Sequence, residues 1–477
     1  MSRNWTLIRG ATVIDATGAP PQPSTDVLLC DDRIHAVGSG ASAEAVPRGE
    51  DLHRIDATGK WLMPGMIDTH CHMTYGESQN QEEQDLYTSV ESRTLRSAWN
   101  LRKVLRAGFT SISQPGGSYY IGVALRDGVR DGMFPGPRMT TAGRYLTTSN
   151  GLTDWYPESV GVPQGSIGVL TNTAAEMIDV IRRQAKNGVD LIKLADSPYG
   201  NFQAFTGDEL KLVAEMAHQL EKKVTIHARG SKEVAASVAA GFDWIMHGNM
   251  MSDETVEALA ASRIPLVPTL LLLANWADFG DLVGVPAGAR DGAKRMLDRT
   301  ADSLHRAHAA GVTMVVGTDT GFATVPYGEW HARELELLMT YAGLSAYEAI
   351  QAATVHAAPM VNLAGQVGEV VAGRLADLIV VERDPLQDIT VLQDPGNIAV
   401  VIQGGVVKSL GPAGDLPSWP YERSRVQSRA KLTRALAFGG GAGEPTGEAW
   451  SREEARDLFS DLGRATPQLA DDAPIGA

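Results

Sequence analysis

The sequence predicts an α/β protein, a (β/α)₈ TIM barrel that carries a small discontinuous β-sandwich domain. Between residues 62 and 355, eight strand-like runs alternate with helix-like runs, and a (β/α)₈ barrel needs about 250 residues. Short β-like runs separated by turn residues flank this region on both sides. An open doubly wound sheet is the alternative, but no G-x-G-x-x-G or Walker A motif is well placed for it.

The flanking β-like runs predict a second domain that the barrel interrupts. Gly404 and Gly405 lie inside the last of these runs, where they predict a hairpin turn. We therefore predict a small β domain made of residues 1–61 and 359–410, with the barrel at residues 62–358 between its two parts. The runs lie at residues 5–13, 26–29, 33–37, 378–382 and 398–408.

The barrel elements follow from the alternation of apolar runs and amphipathic patterns. Three of the helix-like patterns are long, and they cover residues 173–187, 207–220 and 289–310. The eight strand-like runs cover residues 62–72, 109–114, 138–143, 189–194, 223–227, 244–247, 265–270 and 312–318.

The composition changes after the second β segment. Residues 411–477 are rich in Pro, Gly, Ala and Asp, and we predict a C-terminal extension there. It either wraps the body or a neighbouring subunit, or it is partly disordered. Residues 451–462 have the pattern of one helix, which Ser451 and Glu454 begin with a capping box.

The overall composition excludes several classes of partner. The chain has 477 residues, 43% of them hydrophobic, and a formal net charge of −15. An acidic balance argues against a nucleic acid or an anionic membrane as the main partner. Two cysteines cannot form a disulfide framework, and the first residues do not have the pattern of a secretory signal. These features favour a cytoplasmic protein whose partner is a small-molecule substrate.

Two histidines lie at the end of the first predicted barrel strand. Side chains alternate along a strand, so His70 and His72 are expected to point to one side while Cys71 points to the other. Two imidazoles on one face can chelate a divalent metal. A single His-x-His pattern is weak evidence, because two surface or core histidines produce it equally well.

Other metal-competent groups recur at the ends of later strands, namely Lys193, His227, His247 and Asp319. Taken singly, each has a simpler explanation: a lysine that reaches solvent, packed core histidines, or an aspartate in a turn. In a barrel, however, the carboxyl ends of the strands converge at one mouth. Five strand ends that all supply such groups are difficult to explain by packing alone, so we predict a metal site at that mouth.

These residues, in this order, identify a family resemblance. The stretch Leu-Met-Pro-Gly-Met-Ile-Asp-Thr-His-Cys-His at residues 62–72 closely resembles the opening strand of the metal-dependent amidohydrolase superfamily. The later ligand-type residues match the order of that family, and Gly-Arg-Leu-Ala-Asp-Leu-Ile-Val at residues 373–380 resembles its return into the small β domain. The likeness covers residues 5 to 410 and is greatest to the prolidase-like group.

The resemblance implies a site for two divalent metals. His70, His72 and Asp319 would hold one metal, His227 and His247 would hold the other, and Lys193, carboxylated on its amine, would bridge them. Metal-bound hydroxide would then attack the substrate carbonyl, and Asp319 would orient the water and move its proton. The donor set suits zinc, although cobalt, manganese and iron also fit. The resemblance further suggests a homo-oligomer.

The substrate is predicted from departures from the family pattern. Prolidases of this group carry an Arg and a Gly-Gly-His segment that bind a carboxylate, whereas residues 111–117 and 147–156 keep no charged anchor. An unpaired buried carboxylate is costly, so a neutral substrate is expected. Aromatic residues on loops near the mouth predict an apolar pocket, or alternatively lid and oligomer contacts. They are Tyr119, Trp155, Tyr156, Phe322 and Tyr327.

This profile is similar to the phenylurea and molinate hydrolases of the superfamily. It predicts cleavage of a C–N bond in an aryl or alkyl amide, urea or carbamate, such as a phenylurea. An Xaa-Pro dipeptidase or a mycotoxin-type amidase is one alternative. A deaminase and a non-catalytic scaffold relative are the others.

Overall fold

The structure is a computed structural model that describes residues 3–408 and 430–438. Most of the predicted extension, including the predicted helix at residues 451–462, lies outside the described residues. Within the described ranges, no helix is both long enough and apolar enough to cross a membrane.

Strands and helices alternate along the described chain, in agreement with the predicted α/β class. The strands are β1 (Trp5–Val13), β2 (Gln22–Cys30), β3 (Arg33–Val37), β4 (Leu52–Asp56), β5 (Trp61–Pro64), β6 (Met66–Asp68), β7 (Phe109–Gln114), β8 (Arg138–Thr141), β9 (Tyr145–Thr147), β10 (Gly168–Leu170), β11 (Leu191–Ala195), β12 (Lys223–Gly230), β13 (Trp244–Met250), β14 (Leu266–Val267), β15 (Leu378–Val381), β16 (Ile398–Gln403) and β17 (Val406–Val407). The helices are α1 (Val90–Arg106), α2 (Ile121–Arg130), α3 (Ala174–Lys186), α4 (Gly207–Gln219), α5 (Ser231–Ala240), α6 (Asp253–Ser262), α7 (Leu271–Phe279), α8 (Ala287–Ala309), α9 (Arg333–Ala342), α10 (Ala346–Ala352) and α11 (Arg434–Ala437).

Strands from both ends of the chain form one mixed sheet. Its order is β17-β16-β15-β5-β1-β2-β3, and β4 pairs with β1. β15 runs antiparallel to β5, so a late strand is paired with an early one. The turn between β16 and β17 contains Gly404 and Gly405, both with positive φ, as the sequence predicts. The predicted domain boundaries stay a prediction.

The predicted strand at residues 62–72 is wrong as a single element. β5 belongs to the mixed sheet and β6 to a parallel sheet, and the chain changes sheets at Gly65. The Gly65 amide donates to the Asp377 carbonyl at 2.9 Å. A Cβ at this position would lie 2.3 Å from Thr110 Oγ1, so only glycine fits the crossing.

The remaining strands form two parallel sheets, and three of the predicted site residues, Lys193, His227 and His247, lie on them. Their orders are β6-β7-β8 and β10-β9-β11-β12-β13-β14. The predicted eighth strand at 312–318 is not a strand, although Val315 N donates to Leu266 O at 2.9 Å. Val316 N donates to Ala352 O, and Thr318 N donates to the Asp68 carboxylate. Within the described residues, the parallel strands form two separate sheets and do not join into one closed sheet.

Two of the long helices begin at capping boxes. Thr173 and Glu176 form a capping box at the start of α3, and Thr206 and Glu209 form one at the start of α4. The helices that pack against the parallel strands bury an apolar face, which for α4 includes Leu210 and Val213. This packing fixes the helices between successive parallel strands, so the strand ends that carry the site have a rigid support.

The described part of the extension packs on the body, as one of the sequence-based alternatives proposes. Leu432 is fully buried, and its amide donates to the Ala323 carbonyl at 3.0 Å. The Trp330 indole donates to the Leu432 carbonyl, and the Arg434 amide donates to the Glu329 carboxylate. Residues 430–438 therefore hold the loop that follows the last predicted barrel strand.

Candidate active site

His70 and His72 lie immediately after β6 and meet Asp319 from a distant part of the chain. The Asp319 amide donates to the His70 carbonyl at 2.7 Å, which fixes this approach. Asp319 Oδ1 lies 3.5 Å from His70 Nε2 and 3.2 Å from His72 Nε2. Cys71 points away from this cluster and is fully buried in the apolar core, as predicted from the strand alternation.

Lys193, His227 and His247 come from three adjacent parallel strands, β11, β12 and β13. The His227 and His247 rings are 4.1 Å apart between centroids, and the His247 ring is 5.4 Å from that of His70. Lys193 Nζ lies 2.7 Å from Met246 Sδ, and Lys193 lines the same cavity as His70, His72, His227 and Asp319. The structure thus brings all six predicted metal-site residues together.

The hydrogen bonds in the cluster leave ring nitrogens without partners. Within the described chain, His227 Nε2 and both ring nitrogens of His247 are buried and accept or donate no hydrogen bond. Burying such atoms unpaired is costly. Imidazole nitrogens in this state are suitable ligands for a divalent cation, so the donor set fits the predicted metals.

The contact between His72 and Asp319 requires a shared proton or a metal ion. Its Nδ1 donates to the Gly116 carbonyl at 2.8 Å, so a neutral ring carries its lone pair on Nε2. That lone pair faces Asp319 Oδ1 at 3.2 Å, which is also an acceptor. Either a proton or a metal ion must lie between the two atoms. His70 Nδ1 contacts Thr269 Oγ1 at 3.0 Å, which orients the second ring.

Burial sets the charge states of the cluster. It lowers the pKa of His70, His227 and His247 well below the usual range, so these rings stay in the neutral form that binds metals. Burial also lowers the pKa of Lys193 to about 7. Burial opposes the charge on Asp319, but the neighbouring His70 and the hydrogen bond with His72 lower its pKa.

Backbone strain coincides with two of the six residues. His247 has a φ of 79° and Asp319 a φ of 58°, and both lie in the left-handed region that non-glycine residues avoid. Thr269, the partner of His70, has a φ of 56°. Strained residues of this kind persist where the surrounding structure imposes them, and they cluster at functional sites.

Only two of the five aromatic residues that were predicted to form the pocket line the cavity. Trp155 and Phe322 line it, whereas Tyr119, Tyr156 and Tyr327 do not. Tyr327 is buried behind the site, where its hydroxyl donates to the His72 carbonyl at 2.6 Å. The Tyr156 hydroxyl donates to Asp85 at 3.3 Å, and Tyr119 packs against the apolar core. These hydroxyls find partners in neighbouring loops, which sequence position does not reveal.

Several residues that line the cavity were not predicted from the sequence. The most important is Arg229, which lies two residues beyond His227 on β12. Alternation along the strand was the signal that could have identified it. The other unpredicted lining residues are Tyr75, Gln81, Gln84, Tyr145, Leu152, Thr153, Ile167, Pro198 and Tyr199.

Comparison with known proteins places the fold and the site in context. Residues 61–408 match the amidohydrolase family. The chain is 28% identical to the ochratoxinase of Aspergillus niger over 456 residues, which cover 87% of this chain and 90% of that protein. A prolidase solved with N-methylphosphonate-L-proline is 25% identical with a TM-score of 0.76, over 85% of this chain and 99% of that one. Molinate hydrolase, at 21% identity and a TM-score of 0.73 over 89% and 100% of the two chains, shares the fold.

Proposed function

This chain belongs to the amidohydrolase family, and from that premise we propose that it is a metal-dependent hydrolase of a C–N bond in a partly apolar small molecule. The observation that carries the proposal is that His70, His72, Lys193, His227 and Asp319 line one cavity and that the His247 ring packs against those of His70 and His227. Among the described residues, the buried His227 Nε2 and both ring nitrogens of His247 have no hydrogen-bond partner. Proteins of the family are hydrolases that act on C–N bonds, so the chemistry of the site and the family agree.

The assignment of ligands is part of the proposal. His70, His72 and Asp319 would hold one divalent metal, His227 and His247 a second, and Lys193 as its carbamate would bridge them. Bound metals of this kind lower the pKa of water and polarise a carbonyl. Zinc fits nitrogen and carboxylate donors, and cobalt, manganese or iron would fit as well.

Lys193 has the environment that carboxylation requires. A carbamate forms from the neutral amine and CO₂, and burial lowers the pKa of Lys193 to about 7. Because its side chain is almost fully buried, an ammonium group there would have to be desolvated, and the charge of Asp319 offsets only part of that cost. Conversion to a carbamate removes this cation and supplies two oxygen ligands.

Proton transfer and substrate binding in the proposed reaction are carried out by protein side chains. Asp319 is the carboxylate nearest to the imidazoles, and we propose that it accepts a proton from the attacking water and returns it to the leaving nitrogen. Trp155, Phe322 and Ile167 give the cavity an apolar wall that excludes bulk water and binds an aryl or alkyl group.

The cavity favours only some of the molecules that contain a hydrolysable C–N bond. Amides, ureas, carbamates and thiocarbamates all present a carbonyl next to nitrogen, and the apolar wall suits aryl or alkyl members of each, including phenylureas. The expectation that the substrate is neutral was based on loops without a cationic residue. Arg229 lines the cavity from β12, so that expectation loses its basis.

The proposed function is tested by a substrate panel on protein of measured metal content. The panel contains an N-acyl amino acid, a phenylurea, a thiocarbamate and an Xaa-Pro dipeptide, with release of amine as the readout. We expect turnover of at least one non-peptide substrate, loss of turnover after chelation, and recovery with zinc, cobalt or manganese. Full activity of metal-free protein, or turnover of the dipeptide alone, would contradict the proposal.

A further inference from the structure

Gln84 and Thr153 line the cavity, and each has a buried polar atom without a partner. Their side chains are only 2% and 1% exposed. Within the residues that the structure describes, Gln84 Nε2 and Thr153 Oγ1 make no hydrogen bond. Nearly all buried polar groups in proteins have a partner, because leaving them unpaired is unfavourable. A ligand in the cavity would supply the missing partner for both atoms.

The side-chain amide of Gln84 has a donor that its surroundings do not use. Ser78 Oγ donates to Gln84 Oε1 at 3.4 Å, so the carbonyl end of the amide has a partner and the NH₂ end has none. The backbone of Gln84 is held as well, because the Arg93 guanidinium donates to its carbonyl. Gln84 therefore presents a hydrogen-bond donor at a fixed position.

Thr153 is held in a strained backbone conformation. Its φ of 80° lies in the left-handed region, which β-branched residues avoid. Its side chain packs on Gly168, where a Cβ would clash with Thr153 Oγ1. The preceding residue is fixed, because the Leu152 amide donates to the Asp196 carbonyl at 2.9 Å. Strain that the surroundings impose in this way is typical of residues that bind ligands.

Gln84 and Thr153 lie on either side of one short segment of the cavity wall. The Gln84 and Gly165 carbonyls accept hydrogen bonds from the same guanidinium group, so Gln84 adjoins the start of this segment. Thr153 packs on Gly168 at its end. Ile167 lies between the two glycines and lines the same cavity. The two unpaired groups therefore belong to one wall.

Tyr145 lies between this wall and the candidate metal ligands. Its amide donates to the Ile167 carbonyl at 2.8 Å, so it adjoins the wall. Its ring packs on Gly116, where a Cβ would clash with it, and the Gly116 carbonyl accepts His72 Nδ1 at 2.8 Å. A group that binds at the wall is therefore separate from the group that faces the metals.

We propose that Gln84 Nε2 and Thr153 Oγ1 together bind a carbonyl oxygen of the substrate that is distinct from the carbonyl that is hydrolysed. The inference rests on the proposed function, because it concerns the same cavity. A carbonyl oxygen has two lone pairs and can accept from both donors. Both side chains are uncharged, so the partner is a neutral acceptor. The substrates would be amides, ureas or carbamates with a ketone, ester or second amide on their apolar part.

The experiment compares acetophenone with α-methylstyrene, which has the same shape but a CH₂ group in place of the carbonyl oxygen. Dissociation constants are measured by ligand-detected NMR titration on full-length protein of equal measured metal content. The samples are wild type, Gln84→Met, Thr153→Val and Thr153→Ser. Thr148→Val is the matched control, because Thr148 Oγ1 is also buried and unpaired within the described chain but Thr148 does not line the cavity.

We expect Gln84→Met and Thr153→Val each to weaken acetophenone binding by about 2- to 10-fold, the usual size of a neutral hydrogen bond. Binding of α-methylstyrene should stay unchanged, which also shows that the cavity of each variant is intact. Thr153→Ser, which keeps the hydroxyl, and Thr148→Val should match wild type for both ligands.

Three results would overturn the inference: equal weakening of both ligands, an acetophenone affinity that neither Gln84→Met nor Thr153→Val changes, or no detectable binding of acetophenone. An equal loss of acetophenone binding in Thr148→Val would overturn it as well. Selective weakening of acetophenone in a protein that releases no amine from the substrate panel supports the inference and counts against the proposed function.

Discussion

His331 donates from Nδ1 to Asp68 Oδ2 at 2.7 Å, and both side chains are fully buried behind the metal cluster. Asp68 Oδ1 also accepts the His70 amide at 3.0 Å and the Thr318 amide at 3.1 Å. One carboxylate therefore connects the segment that carries His70 to the segment that precedes Asp319. His331 lies two residues before α9 and contacts that carboxylate without lining the cavity.

Replacing His331 by Gln tests this connection. The variant removes a hydrogen bond to a charged group, so unfolding free energy should fall by about 1.5–3 kcal/mol, and metal affinity should fall as His70 and Asp319 separate. Denaturant unfolding and metal analysis measure the two effects. His305→Gln, at an exposed position, is the control. A variant with normal metal affinity would show that the Asp68 contact is only structural.

Lys193→Ala should lose most of the activity, because the bridging ligand is removed. Short carboxylates such as propionate should restore part of it by occupying the same space. Because the pKa of Lys193 is about 7, its amine is neutral above that pH, so ¹³CO₂ should give a carbamate NMR signal that grows as the pH rises through 7. A signal that is equally strong in Lys193→Ala would assign the carbamate elsewhere.

Asp319→Asn should lower kcat by about 10²- to 10⁴-fold, the usual contribution of general acid–base catalysis. His70, His72, Lys193, His227 and His247 remain, so most of the bound metal should be retained. Steady-state kinetics and metal analysis on the same sample separate the two roles. If the variant instead loses its metal and keeps kcat per metal-loaded molecule, Asp319 is a ligand without a role in proton transfer.

The sequence was sufficient to predict that the six candidate metal ligands lie close together, because several of them follow a local rule. Lys193, His227 and His247 lie within three adjacent strands, and the parallel pairing of these strands brings the three residues close together. The same rule, taken two residues further along β12, would have predicted Arg229. The hairpin at Gly404 and Gly405 was also predictable, because two consecutive glycines readily adopt the positive φ angles that the turn requires.

The features that the sequence did not reveal depend on contacts between distant residues. The break at Gly65 is imposed by Thr110 and Asp377, which follow it by many residues. Tyr327 points away from the cavity because its hydroxyl donates a hydrogen bond to the His72 carbonyl. The segment at residues 312–318 has the composition of a strand, but Asp68 takes one of its amides. Hydrophobic periodicity reflects the local conformation of a segment, so it does not identify partners that lie far away in the sequence.

The buried carboxyl group of Glu334 should make the stability of the protein depend on pH. It is fully buried at the start of α9, where its carboxyl group accepts the Leu270 and Leu271 amides and so begins α7. Burial raises its pKa to about 8, whereas an unfolded glutamate titrates near 4.5. The folded state therefore holds a proton that the unfolded state releases, and the stability from Glu334 is lost as pH rises towards and through 8.

Glu334→Gln should remove this dependence, because the amide stays neutral at every pH. Denaturant unfolding between pH 5 and pH 9 should show the variant gaining stability relative to wild type as the pH rises. Glu336→Gln, on the same helix but only partly buried, is the control and should follow wild type. A difference between Glu334→Gln and wild type that stays constant over this range would contradict the assignment.

Leu432 links the C-terminal segment to the cavity wall. Its amide donates to Ala323, the neighbour of the cavity residue Phe322, and its side chain is fully buried. Leu432→Ala should lower the unfolding free energy by about 2–5 kcal/mol, as expected for a large-to-small change in a core. Because the loop that carries Phe322 would lose its support, KM should rise while metal content stays unchanged.

Phe438→Ala, at a residue that is 59% exposed, is the control and should have a much smaller effect on the unfolding free energy and on KM. If KM is unchanged in a folded Leu432→Ala variant, the segment stabilises the protein without shaping the cavity.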